Sequence, residues 1–321
     1  MSRIKKIGSI ILKCALIGFI SLLLLELAYR FQWIDFYSTE WSYQNEQFSN
    51  HKDAKQRIIV FGDSFSADQN SWVALLGKDS AFQMYNASIP GIGPETQRLI
   101  AKSRIAEVNP DVIIVQLYVG NDLFDIEKPV NWSRYSFTRN LFWSSSNYFR
   151  SLNFLNYRLG QMSAEDGIDF NPKADTLFNP EIFSPREKMY IQGNANYPEN
   201  VITVFPEYKK CFEKLISFVE EIKGYAPKKC SFKVMLIPHS CEVNLKYVNR
   251  FHELGSNVDD LVLTNNFWQE EFDKRAFEMI DVKSALIKSE KSGSSTYFNN
   301  DIHLNETGQQ LVYNEVIKIL K

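Results

Sequence analysis

The chain has 321 residues and a formal net charge of −2, so it lacks the strongly basic surface expected of a nucleic-acid-binding protein. Its 24 Phe, 15 Tyr and 6 Trp residues exclude an intrinsically disordered chain and predict a sizeable apolar core. This length accommodates one large α/β domain or two small ones.

The amino-terminal segment Ile7 to Ala28 is almost wholly apolar, and it has the length of about 20 residues that a helix needs to cross a bilayer. Three basic residues precede it: Arg3, Lys5 and Lys6. By the positive-inside rule, this bias predicts a cytoplasmic amino terminus and a periplasmic or extracellular domain. A cleaved signal peptide is the main alternative, and a buried core helix is another. We expect an uncleaved single-pass anchor over residues 1–28, because no small-x-small cleavage site follows Leu25.

Residues 29–56 are aromatic and polar without a clean period, and they read as a linker near the membrane surface. Trp33, Phe36, Tyr37 and Trp41 are candidate interfacial anchors, since aromatic rings concentrate at the membrane–water boundary. An irregular stretch packed on the domain would look the same, so both interpretations stay open.

The first strand is predicted at Ile58 to Phe61, a continuous apolar run of the kind that a parallel sheet buries on both faces. Gly62 then permits a sharp turn, which leaves Ser64 at the carboxyl edge of the sheet, where open α/β folds bind ligands. The plain alternative is a strand–helix junction with this serine as the helix N-cap.

Further strands are predicted at Phe82–Asn86, Asp111–Tyr118 and Ser231–Pro238. Helices are predicted at Ser71–Leu76, from Pro94 to about Val108, at Tyr208–Ile222, at Phe267–Met279 and at the carboxyl terminus. This alternation implies a parallel sheet. The periodic pattern is lost between about residues 123 and 206, and a structureless loop of that length is improbable, so we expect an inserted cap with short helices.

The segment Asp301-Ile-His303 precedes the final helix, and the chain has only four histidines. A serine hydroxyl needs an imidazole to take its proton and an acid to orient that imidazole. Ser64, His303 and Asp301 are the candidates for these three roles. Ser64, Gly91 and Asn121 could supply the donors that a developing oxyanion requires, because each follows a predicted strand.

Four short blocks carry a resemblance to the SGNH (GDSL-type) hydrolase superfamily: Gly62-Asp-Ser64, Asn86-Ala-Ser-Ile-Pro-Gly91, Gly120-Asn-Asp122 and Asp301-Ile-His303. The resemblance covers about residues 57–122 and 297–320. It implies a three-layer, flavodoxin-like α/β/α domain over residues 57–321, and it implies that the family's Ser, Gly, Asn and His correspond to Ser64, Gly91, Asn121 and His303.

One residue departs from the commonest pattern of that family, which places the acid three residues before the histidine. This chain has Asn300 there, and Asp301 lies two residues before His303. A D-x-H spacing occurs in branches of the superfamily, including exported proteins that resemble polysaccharide O-acetylating enzymes. We therefore expect Asp301 to orient the histidine, with Asn300 as the rival.

Several other residues are weaker candidates. His239 follows a predicted strand and could border the pocket, although a lone histidine in a turn is more often a satisfied polar residue. The cap rings Trp132, Trp143 and Tyr148 could stack on substrate or could form the core of the cap. No metal cluster and no cofactor motif is evident. Cys211 and Cys241 are the best candidates for a disulfide, but free buried thiols are the expectation.

The sequence therefore predicts a membrane-anchored serine esterase that cleaves O-acyl, foremost acetyl, esters of a carbohydrate or another ester substrate outside the cytoplasm. An O-acyltransferase acting on a cell-envelope polysaccharide is the alternative, because both reactions share one acyl-enzyme. A non-catalytic glycan-binding envelope protein is a further alternative, against which the triad argues. No nucleic-acid partner is expected.

Overall fold

A five-stranded parallel sheet forms the centre of the protein, in a computed structural model that describes residues 2–48, 54–127, 137–159 and 171–321. The strand order is β2-β1-β3-β4-β5, in which the strands are β1 (Gln56–Phe61), β2 (Phe82–Asn86), β3 (Val112–Tyr118), β4 (Ser231–Ile237) and β5 (Glu278–Ile280).

Fifteen α-helices occur in the described parts of the chain. They are α1 (Ser2–Arg30), α2 (Ser38–Glu46), α3 (Ser64–Ala67), α4 (Trp72–Leu76), α5 (Pro94–Val108), α6 (Phe124–Glu127), α7 (Phe137–Ser146), α8 (Ser151–Leu159), α9 (Pro185–Gly193), α10 (Tyr197–Thr203), α11 (Lys209–Gly224), α12 (Leu245–Glu253), α13 (Phe267–Lys274), α14 (Lys283–Lys291) and α15 (Glu306–Leu320).

Strand β1 lies between β2 and β3, with Ile59 level with Tyr85 on one side and Ile113 on the other. The apolar runs of β1 and β3 are buried, as expected for strands that are covered on both faces. The strand order reverses at β1, so the chain leaves β1 and β3 toward opposite sides. Such a switch point opens a crevice at the carboxyl ends of the strands.

Two helical layers cover the sheet. Helices α5 and α11 pack together on one side, whereas α4, α14 and α15 pack together on the other. Val312 and Val316 in the apolar stripe of α15 are fully buried. The predicted three-layer α/β/α fold is therefore confirmed.

The predicted strands β1 to β4 are confirmed, with β2 at the predicted bounds. The predicted helix over Phe267–Met279 is wrong at its carboxyl end, because α13 stops at Lys274 and the edge strand β5 follows. Ala276 adopts a left-handed conformation (φ 54°), which turns the chain out of the helix. Three residues are too few for a strand to display an alternating pattern.

Helix α1 includes Lys6–Arg30, a segment long and apolar enough to cross a membrane, and a signal sequence would share this property. The segment predicted as a linker, 29–56, is packed on the domain where it is described. Tyr29, Phe36 and Tyr37 are buried, and Trp41 stacks on Tyr85 of β2. Trp33 remains exposed.

The four cysteines, Cys14, Cys211, Cys230 and Cys241, are all free, so the structure contains no bridge between Cys211 and Cys241. Burial raises the pKa of the Cys230 thiol to about 11 and that of Cys241 well above its usual value. These thiols therefore stay protonated and unreactive at neutral pH.

Candidate active site

Ser64 is the first residue of the short helix α3, which follows β1 after a tight turn. The side chain of Asp63 caps this helix by accepting a hydrogen bond from Phe65 N at 2.9 Å. Gln116 of β3 secures the turn, because its Oε1 accepts from Asp63 N at 3.2 Å and from Ser66 Oγ at 2.9 Å. A Cβ on Gly62 would lie 2.5 Å from that oxygen, so only glycine fits. The turn leaves Ser64 half-buried among buried neighbours.

The imidazole of His303 reaches this serine across 239 residues of sequence. Ser64 Oγ lies 2.7 Å from His303 Nε2, and the other ring nitrogen, Nδ1, contacts Oδ1 of Asp301. The same carboxylate oxygen accepts from the backbone N of His303 at 2.8 Å. Serine, histidine and aspartate therefore form one continuous hydrogen-bonded chain at the carboxyl edge of the sheet.

The protonation state of His303 is set by two opposed effects. Burial disfavours the charged ring, but the charge and hydrogen bond of Asp301 outweigh it, so the pKa of His303 is raised above 6.5. Burial also opposes ionisation of Asp301, and the charge and hydrogen bonds of His303 reverse this and lower the pKa of the carboxyl. This aspartate is therefore ionised at neutral pH and suited to hold Nδ1–H toward itself.

Asn300, the rival acid, is buried and turned away from the histidine. Its Nδ2 donates to Asp175 Oδ1 and to Leu177 O, both at 2.7 Å, and its Oδ1 accepts from Asn179 N at 2.6 Å. An amide with these three partners holds the loop in place. Contact with the imidazole comes from Asp301 instead.

Gly91 and Asn121 lie in the turns that follow β2 and β3, at the same edge as Ser64. The Gly91 turn is attached to the serine turn, since Ile89 N donates to Gly62 O at 3.2 Å and Asn86 Nδ2 donates to Ser66 O at 2.9 Å. Gly91 has a positive φ of 73°, which favours glycine. Asn121 is buried.

The cap segment also holds the loop that carries Asp301 and His303, a role that sequence reasoning missed. The carboxylate of Asp175 accepts from Asn299 N at 2.5 Å and from Asn300 N at 2.9 Å. A backbone bond from Ser184 N to Asn300 O, at 3.1 Å, adds a second attachment. These partners lie over a hundred residues apart, and no local motif marks them.

Glu187 of α9 is a second residue that the sequence did not single out. It is fully buried and accepts from the hydroxyl of Tyr197 at 3.4 Å. Burial raises its pKa to about 7, and the Asp301 carboxylate adds to the shift, whereas Arg186 and His303 oppose it. This carboxyl is thus near half-ionisation at neutral pH beside the candidate triad.

The remaining predicted residues lie in different environments. Trp143 is buried against Phe124 and Tyr190, so it belongs to the core of the cap region. Tyr148 is 77% exposed. Trp132 lies outside the described residues.

His239 is fully buried, with its ring between Tyr118 and Phe251. Its Nδ1 accepts from Cys241 N at 3.2 Å, which caps a short 3-10 turn. Burial lowers its pKa to about 3, so the ring is neutral. Two rings, Phe65 and Tyr118, separate it from His303.

No group of three His, Cys, Asp or Glu side chains in the described parts of the chain is arranged to hold a metal ion. The site instead consists of a serine, a histidine and an aspartate in one hydrogen-bonded chain, beside two turns that carry potential hydrogen-bond donors. Such a site can carry out acyl transfer without further groups.

No family model and no curated protein matches the chain. Similar solved structures include TesA, at 15% identity and a TM-score of 0.40, with 83% of this chain and 98% of that chain covered. An acetyl xylan esterase, AlAXEase, has 11% identity and a TM-score of 0.40, with coverages of 83% and 100%. A GDSL-like lipase from Bacteroides thetaiotaomicron has 9% identity and a TM-score of 0.42, with coverages of 89% and 98%. At these values the similarity concerns overall arrangement alone, so a reaction for this chain has to be inferred from its own site.

Proposed function

We propose that this protein is a serine esterase that cleaves O-acyl esters through an acyl-enzyme. The observation that carries the proposal is the 2.7 Å contact between Ser64 Oγ and His303 Nε2, with Asp301 on the far side of the ring. A neutral imidazole in this position accepts the serine proton, and the carboxylate stabilises the imidazolium that results.

In the first step, Ser64 Oγ attacks the ester carbonyl carbon while its proton moves to His303 Nε2. The carbonyl oxygen becomes an oxyanion, for which the backbone N–H groups of Ser64 and Gly91 and the side-chain amide of Asn121 are the proposed donors. The intermediate collapses, the bond to the alcohol oxygen breaks, and His303 returns the proton to that oxygen. Ser64 is left acylated.

In the second step, a water molecule attacks the acyl carbon and gives its proton to His303. The bond to Ser64 breaks, the proton returns to Oγ, and a carboxylic acid leaves. A sugar hydroxyl in place of water would transfer the acyl group to a polysaccharide. We take an acetyl group as the first acyl group to test and place the domain outside the cytoplasm, in keeping with the charge bias around α1.

The test uses the full chain in detergent with a chromogenic acetyl ester, with and without an added oligosaccharide. Ser64→Ala should reduce turnover by several orders of magnitude and abolish labelling by a fluorophosphonate. Ser217→Ala removes an exposed helical hydroxyl that bonds only locally, to Lys214 O, and is the matched control. Labelling of Ser64→Ala at the wild-type level would refute the proposal, and an acylated oligosaccharide product would identify the transferase.

A further inference from the structure

The last turn of α1 is built into the domain. Glu26 is 6% exposed, and its carboxylate accepts from Arg150 N at 2.9 Å, from Ser151 N at 2.8 Å and from Ser151 Oγ at 2.7 Å. These bonds satisfy N–H groups at the start of α8, which have no partner within their own helix. One turn later, Tyr29 is buried in the core. The apolar helix is thus rigidly attached to the domain.

The attachment lies on the side of the domain that carries Ser64. Tyr29 Oη lies 3.5 Å from Thr96 Oγ1, and Arg150 Nε lies 3.0 Å from Glu95 Oε2. Both partners are in the first turn of α5, which follows the carboxyl end of β2 through the Gly91 turn. In a parallel sheet, the helix after a strand begins at the edge where ligands bind.

Exposed apolar side chains surround this junction. Gln32 adopts a left-handed conformation (φ 48°) and turns the chain sharply. Its two neighbours, Phe31 and Trp33, stack with ring centroids 6.2 Å apart. An interfacial patch is formed by Phe31, Trp33, Ile34 and Tyr148, which are 66%, 63%, 61% and 77% exposed. Arg30 joins its two parts by donating to Tyr148 O at 2.8 Å.

We propose that the interfacial patch rests in the headgroup layer of the bilayer that α1 crosses, so that the Ser64 edge of the sheet faces the membrane. The patch continues directly from α1, whose residues from Ile7 to Leu25 are mostly exposed and apolar, a surface that suits lipid. Aromatic rings with polar edges favour that layer. Resting on the proposed function, the orientation implies an ester held at the membrane surface, such as one carried by a lipid-anchored molecule.

The first measurement is fluorescence quenching of the full chain in nanodiscs that contain lipids brominated near the headgroup. The quenched fraction of tryptophan emission should fall in Trp33→Phe. It should persist in Trp41→Phe, a ring that is stacked on Tyr85 and lies under the Arg104 guanidinium. Equal quenching in wild type and Trp33→Phe would overturn the docking, whether or not the protein is an esterase.

The second measurement compares turnover of an acetyl ester borne by vesicle lipids with turnover of a water-soluble ester. The double variant Phe31→Ser/Trp33→Ser should lose roughly tenfold on the lipid-borne ester, since withdrawing two rings weakens the apolar contact, and should keep its rate on the soluble one. Loss on both esters, or on neither, would refute the orientation of the Ser64 edge. Absence of all activity in wild type would refute the proposed function and leave the quenching result to decide the docking.

Discussion

Replacing Asp301 by asparagine tests the part of the site that departs from the commonest family spacing. The carboxylate oxygen contacts His303 Nδ1 and accepts from His303 N at 2.8 Å, so the change removes a charge while the side chain keeps its shape. An amide can also present its N–H to the ring, which favours the tautomer that cannot accept the serine proton.

The expected loss follows from these contacts. A charge-assisted hydrogen bond contributes about 1.5–3 kcal/mol, and the wrong tautomer adds to that loss. At about 1.4 kcal/mol for each factor of ten, kcat should fall by roughly 10²- to 10⁴-fold. Asp259→Asn is the matched control, because Asp259 makes the same bond to the amide two residues ahead (Leu261 N, 2.8 Å) and caps a turn outside the Ser64–His303–Asp301 chain.

The pH dependence gives a second readout. His303 must be neutral to act as a base, so the rate should rise as pH increases through a pKa above 6.5. In Asp301→Asn the contribution of Asp301 is lost, whereas burial and the weaker effects of the Asp63 and Asp68 charges remain, so the acidic limb of kcat/KM should move to lower pH. An unchanged limb, or a loss no larger than in Asn300→Ala, would refute the assignment of Asp301 as the orienting acid.

Two further changes test the surroundings of the triad. Asp175→Ala removes the acceptor of two backbone N–H groups of the His303 loop. It should lower kcat more than it raises KM and lower the free energy of unfolding by about 2 kcal/mol, whereas Lys173→Ala, an exposed neighbour, should do neither. Glu187→Gln should remove a pH dependence of stability. Burial raises the folded-state pKa of Glu187 to about 7. The free energy of unfolding of wild type should therefore fall by about 3 kcal/mol relative to that of the variant as pH rises from about 4.5 to above 7. Urea titrations of wild type and Glu187→Gln at pH 5 and pH 8 measure this loss. The same difference in unfolding free energy between the two proteins at both pH values would contradict the raised pKa of Glu187.

Strands β1 to β4 could be predicted because each is a continuous apolar run that ends in a turn. Their positions placed Ser64 and the Gly91 and Asn121 turns at one edge of the sheet. The edge strand β5 could not be predicted, because its three residues are too few to show an alternation of apolar and polar side chains. Residues 29–56 could have been a linker at the membrane surface or a stretch packed on the domain. Only the fold distinguishes the two, because Tyr29 and Tyr37 are buried by contacts distant in sequence.

The residues of the candidate site were expected from the sequence, whereas the residues that hold them in place were not. Asp301 and His303 are two residues apart, so their pairing is local and visible in the sequence. Asp175 contacts Asn300 across 125 residues, and Glu187 is distinguished only by its burial. The cap was expected to be an insertion with short helices, whose rings either stack on substrate or form its core. Its contacts show that it also holds the loop that carries His303.

The bonds of Glu26 to the start of α8 bear on how the protein could be divided. Glu26, in the last turn of α1, and Arg150, at the start of α8, are 124 residues apart, so neither segment reaches its final state until both have been synthesised. A protease cut on the amino-terminal side of Glu26 would release a complete domain, whereas a cut after Arg30 would leave the buried N–H groups of Arg150 and Ser151 without an acceptor. The boundary between the candidate membrane span and the folded domain therefore lies inside α1, before Glu26. Exchange of this span for another apolar helix should preserve the domain only when the exchange stops short of that residue.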